Sequence, residues 1–183
     1  PIIVVNMTGS AVAMEWENRN VDAILQAWYG GQATGDAITD ILFGDYNPSG
    51  RLPVTIYASA DDLPPFESYS MIGRTYRYFR GKPLFPFGFG LSYTSFAYSQ
   101  IKCAAKSGTS QSVTVTATVT NTGKKAGDEV AQLYITHPQD GNHIIPICSL
   151  KGFKRVHLNP GESKTISFEL TPHDLSLTND EGN

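Results

Sequence analysis

The pattern of hydrophobic and polar residues near the start of the chain predicts a buried strand. Residues 2–5 form a continuous β-branched run, which is typical of a parallel strand buried on both faces. A second short apolar stretch covers residues 23–29 and ends at Gly30 and Gly31. We interpret this glycine pair as a turn rather than a phosphate-binding loop, because its spacing matches neither the Rossmann nor the P-loop fingerprint.

A helical period follows the glycine pair. Four apolar residues share one face of the predicted helix: Ala37, Ile38, Ile41 and Leu42. Gly44 comes next, at a position suited to a left-handed helix cap. Residues 47–50, Asn-Pro-Ser-Gly, predict a turn, and residues 52–56 predict another strand. Strand, helix and strand in this order predict an α/β layer over residues 1–65.

Residues 66–92 are rich in Tyr and Phe, with Gly and Pro between the rings. This composition favours an irregular segment that packs over other surfaces. A sugar-stacking platform is the alternative, since exposed rings present flat apolar area with polar handles. We favour packing, because the Gly and Pro spacing lets the rings enter a crevice. Arg74 and Arg77 are expected to stack on those rings or to pair with carboxylates.

Strict alternation of apolar and polar residues begins at residue 112 and predicts a half-buried strand up to residue 120. Its core-facing residues are Val113, Val115, Ala117 and Val119. Three further strands are predicted at residues 130–135, 150–156 and 165–170, with turns at 121–123 and 159–161. Short strands separated by turn signals predict a β-sandwich over residues 93–183.

Composition and charge exclude several classes of protein. The chain has 183 residues, of which 40% are hydrophobic, enough for a packed core. A net charge of −3 gives no electrostatic reason to expect nucleic acid. Because no apolar run is long enough to cross a bilayer, we expect no membrane partner. The chain opens inside a predicted strand and closes in polar turn residues, from which we expect a protein truncated at both ends.

Neither of the two carboxylate pairs in the sequence predicts a catalytic pair. Glu15 and Glu17 flank Trp16, and Asp61 is adjacent to Asp62. A glycosidase needs two carboxyl groups at a set spacing across the scissile bond, whereas neighbours along a strand point to opposite faces. We therefore interpret these carboxylates as solvated surface groups.

The histidines and cysteines give no strong chemical signal. His137 and His143 lie on one predicted loop with Asp140 between them. A metal site needs several converging ligands, which nothing else here supplies, so we expect no metal or cofactor. Cys103 and Cys148 are equally compatible with a disulfide and with two thiols. Neither has a nearby His that would make it a convincing nucleophile.

Several motifs resemble glycoside hydrolase family 3. In the first half they are AWYGGQ at 27–32, DILFGDYNPSGRLPVT at 40–55, YRYF at 76–79 and PFGFGLSYT at 86–94. In the second half, NTG at 121–123, GDEVAQLY at 127–134, LKGF at 150–153 and LNPGE at 158–162 resemble the fibronectin type III-like domain that ends many members. The motifs follow the family order over nearly the whole chain. RTYRYF at 74–79 looks closer to the β-xylosidase-like branch.

The resemblance implies a fold that is α+β overall. A partial α/β sandwich layer over residues 1–65 is joined by the aromatic segment 66–92 to an immunoglobulin-like, fibronectin type III-like β-sandwich over residues 93–183. The β-sandwich is expected to lack its last strand or two. A barrel and the rest of the α/β domain are expected to precede this chain in the full protein. The resemblance also favours a periplasmic or secreted location.

The activity that the resemblance implies is that of a retaining exo-acting β-glycosidase, which releases terminal β-linked xylose or glucose from oligosaccharides or aryl glycosides. In the family the nucleophile is an aspartate of the barrel, and the acid/base in many members is a glutamate before the strand at residues 2–5. We therefore expect no catalytic residue in this chain and no activity when it is isolated. The alternative is a non-catalytic carbohydrate-binding or interdomain-packing module. The sequence does not decide between xylosidase and glucosidase.

Overall fold

The computed structural model describes residues 1–105, 112–138 and 143–177. The chain forms two compact units. One comprises Pro1–Tyr46 and Arg51–Gly90, and the other comprises Asn47–Gly50 and Leu91–Asn183. None of the described helices has the length and apolar character needed to cross a bilayer.

The first unit begins with two parallel strands. Strand β1, Ile3–Asn6, pairs with β2, Ala23–Gln26, and helix α1, Glu15–Asn20, lies between them in the sequence. The strand predicted at residues 2–5 is confirmed to within one residue. Its predicted burial on both faces is not found among the described residues, because Ile2 is 61% exposed and Ile3 45% exposed.

Helix α2, Thr34–Phe43, confirms the helix predicted from the apolar period. It ends at Gly44, which has φ of +84° and whose N–H donates to the carbonyl oxygen of Ile41. This left-handed conformation favours glycine, because a Cβ would crowd the backbone. Two short helices complete the unit, a 3₁₀ turn at Ala60–Asp62 and α3 at Thr75–Tyr78.

Two predictions in residues 47–56 are wrong. Residues 47–50 form no turn, and Asn47 instead accepts hydrogen bonds from the Ser92 hydroxyl and the Tyr93 N–H at 2.9 and 2.8 Å. Residues 52–56 form no strand, since only Ile56 pairs in a bridge. That segment and its pairing partner each contain a proline, Pro53 and Pro86, which cannot donate to a ladder.

The second unit contains two antiparallel sheets. One sheet has the order β3-β4-β7 and the other pairs β5 with β6. The strands are β3 Phe96–Ala105, β4 Val113–Asn121, β5 Gly127–Ile135, β6 Ser149–Leu158 and β7 Ser163–Leu170, and they are followed by the one-turn helix α4 at Pro172–Leu175. The four strands predicted from the sequence are confirmed, whereas β3 was not predicted.

The core of the second unit draws on both sheets. Val119 of β4 and Ile166 of β7 pack with Ala131 of β5 and Leu158 of β6. The predicted inward face of β4 is confirmed at Val119, which is fully buried, and at Ala117, which packs against this core. Val113 and Val115 are only half-buried, as is Thr114 between them. The residues that β4 contributes to this core cluster therefore lie toward its Val119 end.

Asn121 joins the end of β4 to three neighbouring segments. Its side chain is fully buried. The Oδ1 atom accepts hydrogen bonds from the Thr94 hydroxyl at 2.8 Å and the Gly123 N–H at 3.0 Å. The Nδ2 group donates to the carbonyl oxygens of Lys125 and Leu158 at 2.8 and 3.0 Å. All four contacts are direct, which satisfies the buried amide.

The turn predicted at residues 159–161 is confirmed. The Glu162 N–H donates to the Asn159 carbonyl oxygen at 2.9 Å. The Glu162 carboxylate in turn accepts from the Asn159 N–H at 2.8 Å. Gly161 has φ of +77°. This turn connects β6 to β7 and so joins the two sheets.

Candidate functional site

The carboxylates singled out in the sequence stabilise local structure. Glu15 pairs with Arg19, one helical turn along α1, and both side chains are exposed. Asp62 accepts a hydrogen bond from the Ser59 N–H at 3.1 Å, which caps the 3₁₀ turn. Asp61 is exposed and Glu17 is half-buried. The structure does not bring these groups together into a pair across a cleft.

The histidines and cysteines are likewise not assembled into a site. His137 is half-buried and His143 is exposed, while Asp140 lies outside the described residues. Within residues 1–105, 112–138 and 143–177, no three His, Cys, Asp or Glu side chains are placed to hold a metal ion. Cys103 and Cys148 are not bridged. Of the two possibilities that the sequence left open, a disulfide and two thiols, the structure therefore has two thiols.

Gly30 and Gly31 form the turn that leads into α2, as the sequence predicts. Gly31 has φ of +72°, and its carbonyl oxygen accepts from the Thr34 hydroxyl at 2.6 Å. A Cβ at Gly30 would lie 2.5 Å from the Thr34 Oγ1 atom. The glycines are therefore required by local packing and backbone conformation.

The aromatic segment divides into packed rings and exposed rings. Tyr76 and Phe87 stack at 4.1 Å between centroids, and Tyr57 meets Phe79 edge to face at 4.8 Å. Packing, the favoured interpretation of this segment, is confirmed for these rings. Two other rings are not packed: Phe66 is 96% exposed and Tyr69 101% exposed.

Arg74 has a role that the sequence did not predict. Its guanidinium donates to the carbonyl oxygens of Pro65 at 2.9 Å, Ser68 at 3.1 Å and Ser70 at 3.1 Å. A longer contact of 3.5 Å reaches the carbonyl oxygen of Pro64. The prediction that Arg74 stacks on rings or pairs with carboxylates is therefore wrong. The reason is geometric, since five N–H donors in a fixed plane can satisfy several carbonyls of one folded loop.

Arg77 and Thr75 continue this segment. The Arg77 guanidinium lies 5.8 Å from the centre of the Tyr78 ring, as predicted. Thr75 has φ of +57°, an unusual conformation for a β-branched residue. Its N–H donates to the Tyr57 hydroxyl at 2.7 Å, which helps to hold that conformation.

A charged cluster on the β5–β6 sheet was also missed. Asp128 receives a hydrogen bond from Arg155 Nε at 2.6 Å and lies 2.6 Å from Nδ1 of His157. Burial raises the pKa of Asp128, but hydrogen bonds and charge from His157 and Arg155 outweigh it and hold that pKa below its usual value. The feature that identifies this cluster is the strand register, which places Asp128 directly opposite His157 on the neighbouring strand.

Two domain families match this chain. Residues 1–93 match the sequence model described as the glycosyl hydrolase family 3 C-terminal domain. The chain belongs to glycosyl hydrolase family 3. Residues 129–183 match the fibronectin type III-like domain. Both matches confirm the family resemblance found in the sequence motifs.

Curated relatives of this family 3 chain carry two kinds of name. A xylan 1,4-beta-xylosidase of Xylanibacter ruminicola is 48% identical over 183 residues, which are 100% of this chain and 21% of the relative. A periplasmic beta-glucosidase of Salmonella typhimurium is 39% identical over 196 residues, 99% of this chain and 25% of the relative. The chain thus spans about a quarter of the length of these relatives.

Solved structures share the same fold. Beta-glucosidase 3B of Thermotoga neapolitana, in complex with alpha-D-glucose, matches 97% of this chain and 27% of its own with a TM-score of 0.86 and 36% identity. A beta-D-glucoside glucohydrolase of Trichoderma reesei matches 98% of this chain and 29% of its own with a TM-score of 0.85 and 31% identity. The α+β fold predicted for this chain, with its fibronectin type III-like part, is confirmed. The absence of the nucleophile and of the acid/base stays a prediction.

Proposed function

We propose that this chain is the C-terminal portion of a retaining exo-acting β-glycosidase that releases terminal β-linked xylose or glucose from oligosaccharides. The observation that carries the proposal is the family 3 match over residues 1–93, followed in order by the fibronectin type III-like match over residues 129–183. Relatives named β-xylosidase and β-glucosidase cover the whole chain at 39–48% identity. The substrate is an oligosaccharide or an aryl glycoside.

In this proposal the nucleophile and the acid/base lie in other parts of the full protein. A general acid of a glycosidase needs a carboxyl group whose pKa is raised. Three of the described carboxyl groups have a lowered pKa instead: Asp128, Glu162 and Asp174. The backbone hydrogen bond from Asn159 lowers the pKa of Glu162, and the hydrogen bond from Thr171 lowers that of Asp174. These groups are suited to structural roles.

The remainder of the α/β domain is the partner proposed for the first unit. Parallel sheets in folded proteins are covered on both faces. Within the part of the chain that the structure describes, β1 and β2 pair only with each other, and Ile2, Ile3 and Val12 are exposed. Because the chain spans about a quarter of its relatives, the full protein has enough further chain to cover these residues.

The assay that tests the proposal compares the full-length protein with the isolated chain on aryl β-xyloside and aryl β-glucoside. We expect turnover with retention of anomeric configuration for the full-length protein and none for residues 1–183 alone. Retention is read by following the anomeric proton of the first product by NMR. Turnover by the isolated chain that is lost when one of its own carboxylates is substituted would contradict the proposal.

A further inference from the structure

We propose that residues 64–74, which we name the arginine-held loop, bind a neutral oligosaccharide through Phe66 and Tyr69. This inference rests on the proposed function, because it assigns a saccharide contact to an enzyme that acts on β-linked sugars. The proposal adds a saccharide-binding surface within this chain, whereas the catalytic residues are proposed to lie in other parts of the full protein.

The first observation is the exposure of two neighbouring rings. Phe66 and Tyr69 lie three residues apart and are essentially fully exposed. Within the aromatic segment 66–92, Tyr76 instead packs against Phe87, and Phe79 packs against Tyr57, which precedes the segment. A flat aromatic face buries the apolar C–H face of a pyranose ring well and orders few rotatable bonds in doing so.

The second observation is that the loop is fixed before any ligand binds. The Arg74 guanidinium holds the carbonyl oxygens of Pro65, Ser68 and Ser70. The Ser68 and Ser70 hydroxyls accept from the backbone N–H groups of Ser70 and Ile72 at 3.3 and 3.2 Å. A loop ordered in this way loses little conformational entropy when it binds, which favours affinity.

The third observation is backbone strain at the end of the loop. Thr75 adopts φ of +57°, and the Tyr57 hydroxyl accepts its N–H at 2.7 Å. A strained backbone conformation persists only where surrounding contacts hold it in place, and such conformations are frequent at ligand-binding positions. Tyr57 is in turn held against Phe79, so the strained residue has a rigid support.

The fourth observation favours a saccharide over an apolar protein surface. Glu67 lies between the two rings in the sequence, is exposed, and has no hydrogen-bond or ion-pair partner among the described residues. An apolar protein surface packed over both rings would bury this carboxylate without a partner, which is costly. Saccharide hydroxyls instead donate hydrogen bonds to a carboxylate. The negative charge also selects a neutral sugar over an acidic one.

The test is steady-state kinetics of the full-length enzyme and its Phe66→Ala/Tyr69→Ala variant. Xylotetraose and cellotetraose are compared with 4-nitrophenyl β-xyloside and β-glucoside. The variant removes both proposed saccharide contacts, so we expect KM for the tetrasaccharide to rise about tenfold, with kcat and Tm unchanged. The aryl glycosides should change by less than about twofold.

Two further variants serve as controls. Phe43→Ala removes a ring that is 80% exposed on α2 and should leave all KM values unchanged. Phe66→Tyr/Tyr69→Phe keeps both rings and should restore the original KM. Glu67→Ala should raise KM for the tetrasaccharide alone. An unchanged KM in the Ala variant would overturn the proposal, as would a lowered Tm with equal losses on all substrates, which is the result expected for protein packing.

An incorrect glycosidase assignment gives a different kinetic result from an incorrect saccharide-binding proposal. If the full-length protein hydrolyses none of the four substrates, the glycosidase assignment is wrong. Calorimetric titration with xylotetraose and cellotetraose then tests the arginine-held loop directly. Binding by the original protein that is lost in Phe66→Ala/Tyr69→Ala supports the loop proposal, and equal binding or none overturns it.

Discussion

The two compact units differ in where their apolar side chains lie. In the second unit, Val119, Ala131, Leu158 and Ile166 come from four different strands and are each at most 5% exposed. In the first unit, all of whose residues are described, the buried apolar side chains are only those of Met14 and Ile56.

Large exposed apolar side chains are more frequent in the first unit, although the second unit also has four that are more than 60% exposed: Leu91, Ile101, Ile144 and Phe153. Those in the first unit that are more than 60% exposed are Ile2, Trp16, Tyr29, Phe43, Phe66 and Tyr69. Exposed apolar area of this extent marks a surface that another segment or a ligand covers. The comparison teaches that the β-sandwich closes a core from its own strands, whereas the α/β unit leaves large apolar side chains exposed, as expected if the proposed further part of the α/β domain covers some of them.

The largest expected effect is the loss of the β-sandwich core. Val119→Asp places a charge without a partner among apolar residues, and we expect destabilisation of more than about 4 kcal/mol, enough to unfold the second unit. Thr116→Asp, on the other face of the same strand, should cost less than about 1 kcal/mol. Urea unfolding followed by near-ultraviolet circular dichroism measures both. Equal effects would show that the inward face of β4 is misplaced.

Asn121 provides the next largest effect. Asn121→Ala leaves the Lys125 and Leu158 carbonyl oxygens and the Thr94 hydroxyl without their amide partner. We expect a loss of about 3 kcal/mol in the second unit, since buried polar groups without partners are costly. Thr122→Ala, which removes one exposed hydrogen bond to the Ser95 carbonyl oxygen, should cost well under about 1 kcal/mol. A loss in Asn121→Ala no larger than in Thr122→Ala would contradict this role.

Substitution of one glycine in each unit is expected to change the free energy of unfolding by a smaller amount. Gly161→Ala meets no atom within 4 Å but has φ of +77°, so backbone strain alone should destabilise the second unit by about 1 kcal/mol. Gly35→Ala in α2 also meets open space, and it should stabilise the helix by up to about 1 kcal/mol. Thermal unfolding of each variant measures the shifts. A shift of the same sign in both would refute the conformational argument.

The sequence predicted those elements that have a simple pattern. The alternation of residues 112–120 located β4, and the apolar period with Gly44 located α2. Strand β3 has no such alternation, and its register shifts between Ser99 and Lys102, where Gln100 has φ of +50°. A bulge of this kind interrupts the period of two on which strand prediction depends.

The candidate site was less predictable than the fold. Phe66 and Tyr69 belong to a segment whose aromatic composition was evident, yet composition does not separate exposed rings from packed ones. Arg74 was expected to contact side chains, whereas its partners are backbone carbonyl oxygens. Every residue has such an oxygen, so no sequence pattern identifies them, and only the folded loop brings them together.

The smallest predicted effect is a pH dependence confined to the second unit. Asp128 has a lowered pKa in the folded state relative to the ordinary value of 3.8. Its contribution to stability is therefore present above pH 3.8 and is lost as the pH falls through the folded pKa. Because Arg155 and His157 are more than half exposed, we expect at most about 1 kcal/mol, reduced by salt. Asp128→Asn should remove this dependence, and urea unfolding between pH 2 and pH 6 (about two units either side of the ordinary pKa of an aspartate) would detect it.

Hydrogen exchange on the isolated 183-residue chain, shown to be monomeric, tests the central comparison most directly. Amides in the paired strands of a self-sufficient unit exchange slowly, whereas those of a unit without its covering segment open readily. We predict slow exchange at Val119 and Ile166 and fast exchange across Ile3–Asn6 and Ala23–Gln26. Slow exchange throughout both of these short strands in the monomer would contradict it, because the first unit would then be stable by itself.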